Sequence, residues 1–246
     1  MAMLIFTGTL GSGKSYHALC LGLEKVRAKR ENIVVANFPI VAKNDKEKKR
    51  WFYQENLTVD FLIKKSFSEG IYGKEGRGLV IIDEAPLMFN SRDSFMQSKE
   101  RREWIKFFSL SRRFGYDIIL ISQDLRMIDR QIRTMAEYEV KHVCANRYGW
   151  LSWIPIKTFF YVWFWSGGKF KGGLQVGFLL PWVARRYDTM KQFSPSPELI
   201  ELAYKHGYNI KPEAGEPDPG GEGGAPGAAL LQSEGNVIPV FREWKV

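Results

Sequence analysis

The sequence predicts an α/β fold, a mostly parallel sheet flanked by helices, with a small β-rich appendage toward the C-terminus. Three observations carry that prediction. Unbroken apolar runs of strand length recur at residues 4–6, 33–36, 79–82 and 118–121. A run that does not alternate marks a strand buried on both faces, as in a parallel sheet covered by helices. Segments of helical period lie between those runs. A glycine-rich turn joins the first run to the first helical segment, the end of an α/β sheet where ligands gather.

Taken in order, residues 15–29 place Leu19, Leu23 and Val26 at helical spacing. Ile33–Ala36 is a β-branched strand closed by Asn37-Phe38-Pro39, and residues 43–50 form a charged, helix-compatible surface run. From Tyr148 the texture changes. Residues 158–165 are dense in aromatic and β-branched side chains, and Ser166-Gly167-Gly168 reads as a turn before Leu174-Gln175-Val176. A short helix follows, with Ser196 as N-cap, Pro197 in its first turn, Glu198 nearby and Gly207 as its stop. Residues 212–227 are Pro- and Gly-rich, acidic and without large apolar side chains, the composition of a linker. The predicted division is a core at 1–146, the β-rich appendage and short helix at 147–211, the linker at 212–227 and an apolar tail at 228–246. That tail, with Val237 to Trp244, docks on its own domain or on a partner.

Composition excludes several classes. Of 246 residues, 45% are hydrophobic and 14% aromatic, too rich for a disordered chain. Lys and Arg number 36 against 27 Asp and Glu, a net charge of +9. That balance favours a polyanionic partner, nucleic acid or an anionic membrane surface, though many soluble proteins are simply basic. Cys20 and Cys144 match no metal spacing and build no disulfide scaffold, which fits a reducing compartment. The first six residues lack the basic region of a signal peptide. The most apolar stretch, 150–165, contains Pro155 and Lys157 and falls short of the roughly 20 residues a membrane helix needs. A soluble protein is expected.

The motif at Gly8-Thr9-Leu10-Gly11-Ser12-Gly13-Lys14-Ser15 fits G-x-x-x-x-G-K-[ST]. Its glycines let the backbone curl so that successive N–H groups face phosphate oxygens. The helix that starts there presents unsatisfied N–H groups and its positive dipole end to the anion. Lys14 would reach the β- and γ-phosphates of ATP, and the Ser15 hydroxyl would ligate Mg²⁺. Tyr16 is the last residue of the expected nucleotide-binding segment. Asp83-Glu84 closes the run 79–82, where Asp83 would hold the Mg²⁺ and Glu84 would orient or deprotonate the attacking water. The bland account is a strand ending in charged loop residues. Gln123 follows the strand at 118–122 and would sense the γ-phosphate if that strand neighbours the first; otherwise it caps a turn.

Arg112 and Arg113 precede the same strand. They are candidates for a finger reaching a neighbouring subunit's nucleotide, or a solvated basic helix end. Arg126, Arg130 and Arg133 stand at spacings of three and four, which would put them on one helical face. Lys99–Arg113 interleaves basic residues with Trp104, Phe107 and Phe108. Such aromatics stack on bases in some proteins, but at helical spacing core is the better reading.

Together these residues resemble the zonula occludens toxin (Zot) family, the assembly and export ATPases of filamentous phages, related to the FtsK–HerA DNA-pumping superfamily. The specific parts are the N-terminal P-loop, Leu79–Ala85 (LVIIDEA), and Ser111–Arg133 with its Arg113, Gly115, Asp117, Gln123 and Ile128–Arg133 pattern. Tyr187-Asp188-Thr189 resembles the Tyr-Asp-Ser/Thr that closes the family's domain. The resemblance implies ATP hydrolysis coupled to extrusion of single-stranded phage DNA through the host inner membrane. It implies a ring-like homo-oligomer, such as a hexamer, contacts with coat and assembly proteins, and a site in the host cytoplasm peripheral to that membrane. Many members continue into a transmembrane helix and a periplasmic domain. No such segment is expected here, so the anchor would belong to a partner subunit or be missing. Three alternatives stay open: a packaging ATPase pumping duplex DNA into a shell, a small-molecule kinase, and an adaptor that binds ATP only to assemble.

Overall fold

A computed structural model describes residues 3–89, 98–149, 155–165, 171–187 and 242–244. The sheet has nine strands in the order β3-β2-β4-β5-β1-β6-β7-β8-β9. Its strands are β1 (Met3–Thr7), β2 (Ile33–Ala36), β3 (Trp51–Tyr53), β4 (Gly78–Ile82), β5 (Tyr116–Ile121), β6 (Tyr138–Cys144), β7 (Thr158–Trp165), β8 (Lys171–Phe178) and β9 (Arg242–Trp244). The helices are α1 (Lys14–Arg27), α2 (Asp45–Arg50), α3 (Val59–Ser68), α4 (Pro86–Phe89), α5 (Ser98–Leu110), α6 (Arg130–Arg133) and α7 (Pro181–Ala184). From β3 to β6 the pairing is parallel, and from β6 to β9 antiparallel. The predicted short helix near 196–207, the linker and most of the tail lie outside the described residues.

Burial follows the unbroken runs. Val80 and Ile82 of β4 pack with Leu62 of α3 and Trp104, Phe107 and Phe108 of α5. Leu79 and Ile81 turn to the other face, against Leu19, Leu23 and Val26 of α1. The three aromatics of α5 are at most 5% exposed, so they are core and take no part in base stacking. The α1 boundary falls within two residues of the expected one. Thr58 accepts a hydrogen bond from Phe61 N at the start of α3, and Asn44 accepts one from Glu47 N at the start of α2. Each such cap contributes about 1 kcal/mol.

Three strands escaped the sequence reading, among them β9, which pairs with β8 in the segment read only as an apolar tail. β3 is only three residues long. β6 alternates, burying Val140, His142 and Cys144 while Lys141 is exposed, and it stands where the parallel sheet turns antiparallel. The charged run at 43–50 also differs from the expected surface helix. Glu47 is wholly buried, gripped by both guanidinium nitrogens of Arg186 at 3.1 and 2.9 Å and by Arg27 Nε at 3.0 Å. Burial opposes its ionisation, yet these hydrogen bonds hold its carboxyl below the ordinary range. The partner is 139 residues away in sequence, which local pattern does not register. The β-rich segment, for its part, extends the core sheet: β7 pairs along the whole of β6 from Cys144 to Tyr138.

Candidate nucleotide-binding site

Because β1, β4 and β5 run parallel, their C-terminal ends share one edge of the sheet. β5 stands between the other two, so Gln123 is placed between the glycine-rich loop and Asp83-Glu84. Gly8 N donates to Gln123 O at 3.2 Å, which ties the two loops together. Gln123, Arg126, Arg133, Glu139, Lys141 and Arg147 line a cleft of about 710 Å³ beside Gly8 and Thr9.

The loop has the conformation its glycines permit. Gly8, Gly11 and Gly13 have φ of 141°, 72° and 91°. A Cβ on Gly13 would also strike the Phe159 ring at 2.8 Å. Among the described residues no backbone hydrogen bond uses the N–H of Gly13, Lys14 or Ser15, leaving them at the helix start for an anion. Lys14 Nζ is folded into the loop, donating to Gly8 O at 2.8 Å and Thr9 O at 3.0 Å. Burial lowers its pKa, opposed by the Asp83 and Glu84 carboxylates and assisted by Arg147. Among the described residues Ser12 Oγ is buried without a hydrogen-bond partner, a polar atom inside the loop that a phosphate would satisfy.

Tyr16 follows Ser15 in α1. Its hydroxyl donates to Phe178 O and accepts from Leu180 N, both at 3.0 Å. The side chain therefore ties α1 to the end of β8, and only its backbone N–H remains at the helix start. Leu10 is 74% exposed and contributes backbone alone, its carbonyl accepting from Arg147.

Asp83 is 3% exposed and held from several sides. Asn37 donates to its carbonyl and accepts from its N–H, both at 2.8 Å. Asp83 Oδ1 accepts from Glu84 N at 2.9 Å, and Oδ2 accepts from the Tyr187 hydroxyl at 2.6 Å. Among the described residues Glu84 alone combines a positive φ, 47°, with a side chain, a strain of about 1–3 kcal/mol of the sort that gathers at functional sites. Ala85 N to Ile121 O, 2.8 Å, holds the turn in place. Burial, then the neighbouring Asp83, raises the Glu84 carboxyl, with Lys14 pulling the other way. Ser15 and Asp83 supply hydroxyl and carboxylate oxygens, the hard donors that suit Mg²⁺.

The arginines divide. Arg112 and Arg113 precede β5 and are exposed, at the sheet edge opposite the loop. Arg112 makes only a 3.5 Å surface pair with Glu75, worth little. The shared helical face expected for Arg126, Arg130 and Arg133 does not form. Arg126 sits in a separate 3₁₀ turn, Leu125–Met127, and Ile128 and Asp129 are extended between that turn and α6. Several residues that carried the family resemblance are structural. Asp117 pairs with Lys25 at 2.7 Å, and Asp129 caps α6 and pairs with Arg101. Sequence reasoning missed Asn37, Arg147 and Tyr187. Arg147 donates to Thr9 Oγ1 at 2.8 Å, a basic group poised on the loop from 138 residues away.

A family model described as zonular occludens toxin (Zot) matches residues 2–150. The chain belongs to the Zot family. It is 30% identical over 146 residues to the Gene 1 proteins of Enterobacteria phages M13 and I2-2, which covers 57% of this chain and about 40% of each relative. This Zot-family chain thus spans about two fifths of the length of the curated relatives it matches. It is also similar to the N-terminal domain of zonular occludens toxin from Neisseria meningitidis, at 18% identity and TM-score 0.49, over 76% of this chain and all of that one. A DnaB-like replicative helicase shares the fold at 12% identity and TM-score 0.50, over 76% of this chain and 57% of the other. The architecture is that of a P-loop NTPase, a mostly parallel core with antiparallel C-terminal strands. Among the described residues no helix is long and apolar enough to cross a membrane, and no group of three or more His, Cys, Asp or Glu gathers to hold a metal.

Proposed function

We propose that this Zot-family chain is the ATP-hydrolysing motor of filamentous phage assembly, extruding single-stranded DNA through the host inner membrane as a ring-like homo-oligomer. The observation that carries the reading is the convergence of Lys14, Ser15, Asp83 and Glu84 at the ends of β1 and β4, with Gln123 just after the strand between them. In this reading Lys14 exchanges its two loop carbonyls for the β- and γ-phosphates of ATP. Ser15 and Asp83 hold the Mg²⁺ that neutralises charge developing on the phosphate oxygens. Glu84, its carboxyl raised toward neutrality, takes a proton from the attacking water. Gln123 senses the γ-phosphate. Arg112 and Arg113, on the far edge of their own sheet, would act on a neighbouring protomer. Similarity to the Gene 1 proteins supports the phage setting, and the net charge of +9 supports a polyanionic cargo. Host membrane and coat protein enter as partners of the assembled ring.

The test is ATP turnover with single-stranded and duplex DNA, beside Lys14→Ala and Glu84→Gln. Single-stranded DNA is expected to stimulate hydrolysis more than duplex. Glu84→Gln should lower turnover about 10²–10⁴-fold while nucleotide still binds. A strong preference for duplex would make the chain a packaging motor instead, and unchanged turnover in Glu84→Gln would remove hydrolysis from the proposal.

A further inference from the structure

The Tyr187 hydroxyl donates to Asp83 Oδ2 at 2.6 Å, one of the two side chains to which the metal site was assigned. Asp83 is clamped, Oδ1 by Glu84 N and Oδ2 by Tyr187, with its backbone held by Asn37.

The phenol is itself anchored. Arg186, the residue before it, is locked onto buried Glu47, and its carbonyl accepts from Val41 N at 3.0 Å. The Tyr187 ring meets the edge of Phe38 at a centroid distance of 4.6 Å. Nothing in this arrangement needs the hydroxyl for packing.

We propose that Tyr187 is a positioning residue for the divalent cation: its hydroxyl fixes the Asp83 carboxylate in the orientation in which, with Ser15, it would hold one metal. Partners that orient metal ligands in this way change metal affinity by about 10–100-fold when removed. The inference rests on the nucleotide site proposed above and adds a residue outside the span 2–150 matched by the family model.

The experiment measures binding of a fluorescent ADP to the full chain, titrated with Mg²⁺, for wild type, Tyr187→Phe, Ser15→Ala and Asp83→Asn. Phe keeps the ring against Phe38 and removes only the hydroxyl, and thermal melting checks the fold. Tyr187→Phe should need about 10–100-fold more Mg²⁺ for half-maximal tightening, with ADP affinity in EDTA unchanged. An unchanged Mg²⁺ requirement overturns the inference, as does a lower one, which would mean that the phenol competes with the metal. If Ser15→Ala and Asp83→Asn leave the Mg²⁺ requirement unaltered, the metal site itself fails and the positioning role with it. Loss in those two with none in Tyr187→Phe overturns only the positioning role.

Discussion

The loop at residues 8–15 with Asp83-Glu84, and the stretch 158–187, serve one site by different physics. The first works through local backbone: three glycines with positive φ, a helix start and carboxylates at a strand end. The second works through contacts made across the fold. Phe159 of β7 backs Gly13, Tyr161 stacks on His17 of α1 at 3.9 Å, Phe178 and Leu180 hold the Tyr16 hydroxyl, and Tyr187 holds Asp83. A phosphate-binding loop needs a curled backbone, and also a floor that keeps it curled. Here the antiparallel extension is that floor.

The comparison is most severely tested at Phe159. Phe159→Ala should destabilise the fold by about 3–5 kcal/mol, read from urea unfolding, and should weaken nucleotide binding by the folded protein. Undiminished affinity would reduce the extension to ordinary packing. A somewhat smaller loss is expected for Arg186→Ala, which leaves Glu47 with Arg27 and the Lys43 N–H. Breaking a buried pair from one side costs about 3 kcal/mol. Replacing both partners, Glu47→Gln with Arg186→Met, should recover part of it; no recovery would show that the loss comes from elsewhere in the α7 segment.

The smallest effect concerns the floor's buried histidines. His17 Nδ1 and His142 Nε2 are 2.8 Å apart, and both rings are at most 2% exposed. Burial, with the partner histidine second, drives His17 well below its usual range. For His142 burial outweighs the hydrogen bonds it makes to the backbone of Val140 and Thr7, and its pKa falls to about 3. A folded pKa depressed below the unfolded 6.5 means that the unfolded chain takes up protons the folded one refuses. Stability therefore rises with pH through the window up to 6.5 and falls below it. Between pH 7 and 6 the pair should lose about 1 kcal/mol, measured as a shift in urea midpoint. Glu47 leaves that window clean. Its depressed pKa gives stability that is lost only as pH falls below the carboxylate range. A flat profile from pH 7 to 6 would contradict the buried neutral pair.

How much was readable in advance depended on the range of the interaction. The P-loop, the carboxylates after β4 and the buried parallel strands were legible because each is written in a few adjacent residues whose chemistry suffices. Even the expectation that Gln123 would flank the loop needed only the order of neighbouring strands. Arg126 shows the limit of spacing arguments, since Asp129 caps a new helix and breaks the shared face that the intervals suggested. Glu47 shows the limit of charge patterning: a carboxylate in a run of lysines reads as solvated until Arg186 is known to lie on it. Arg147 left no signal at all, and Tyr187 stood only in a triplet that resembled a family motif, with no role attached. Arg147 reaches the loop from 138 residues away and Tyr187 reaches Asp83 from 104, through a strand order that places β6 beside β1 and brings the end of β8 over the start of α1.

Backbone preference and apolar period thus set the class of fold, the position of the phosphate loop and the carboxylates available to it. The floor of the loop and the anchoring of Asp83 were decided only when distant segments packed. Side chains far apart in sequence acquire a role through contact, and contact is a property of the assembled sheet.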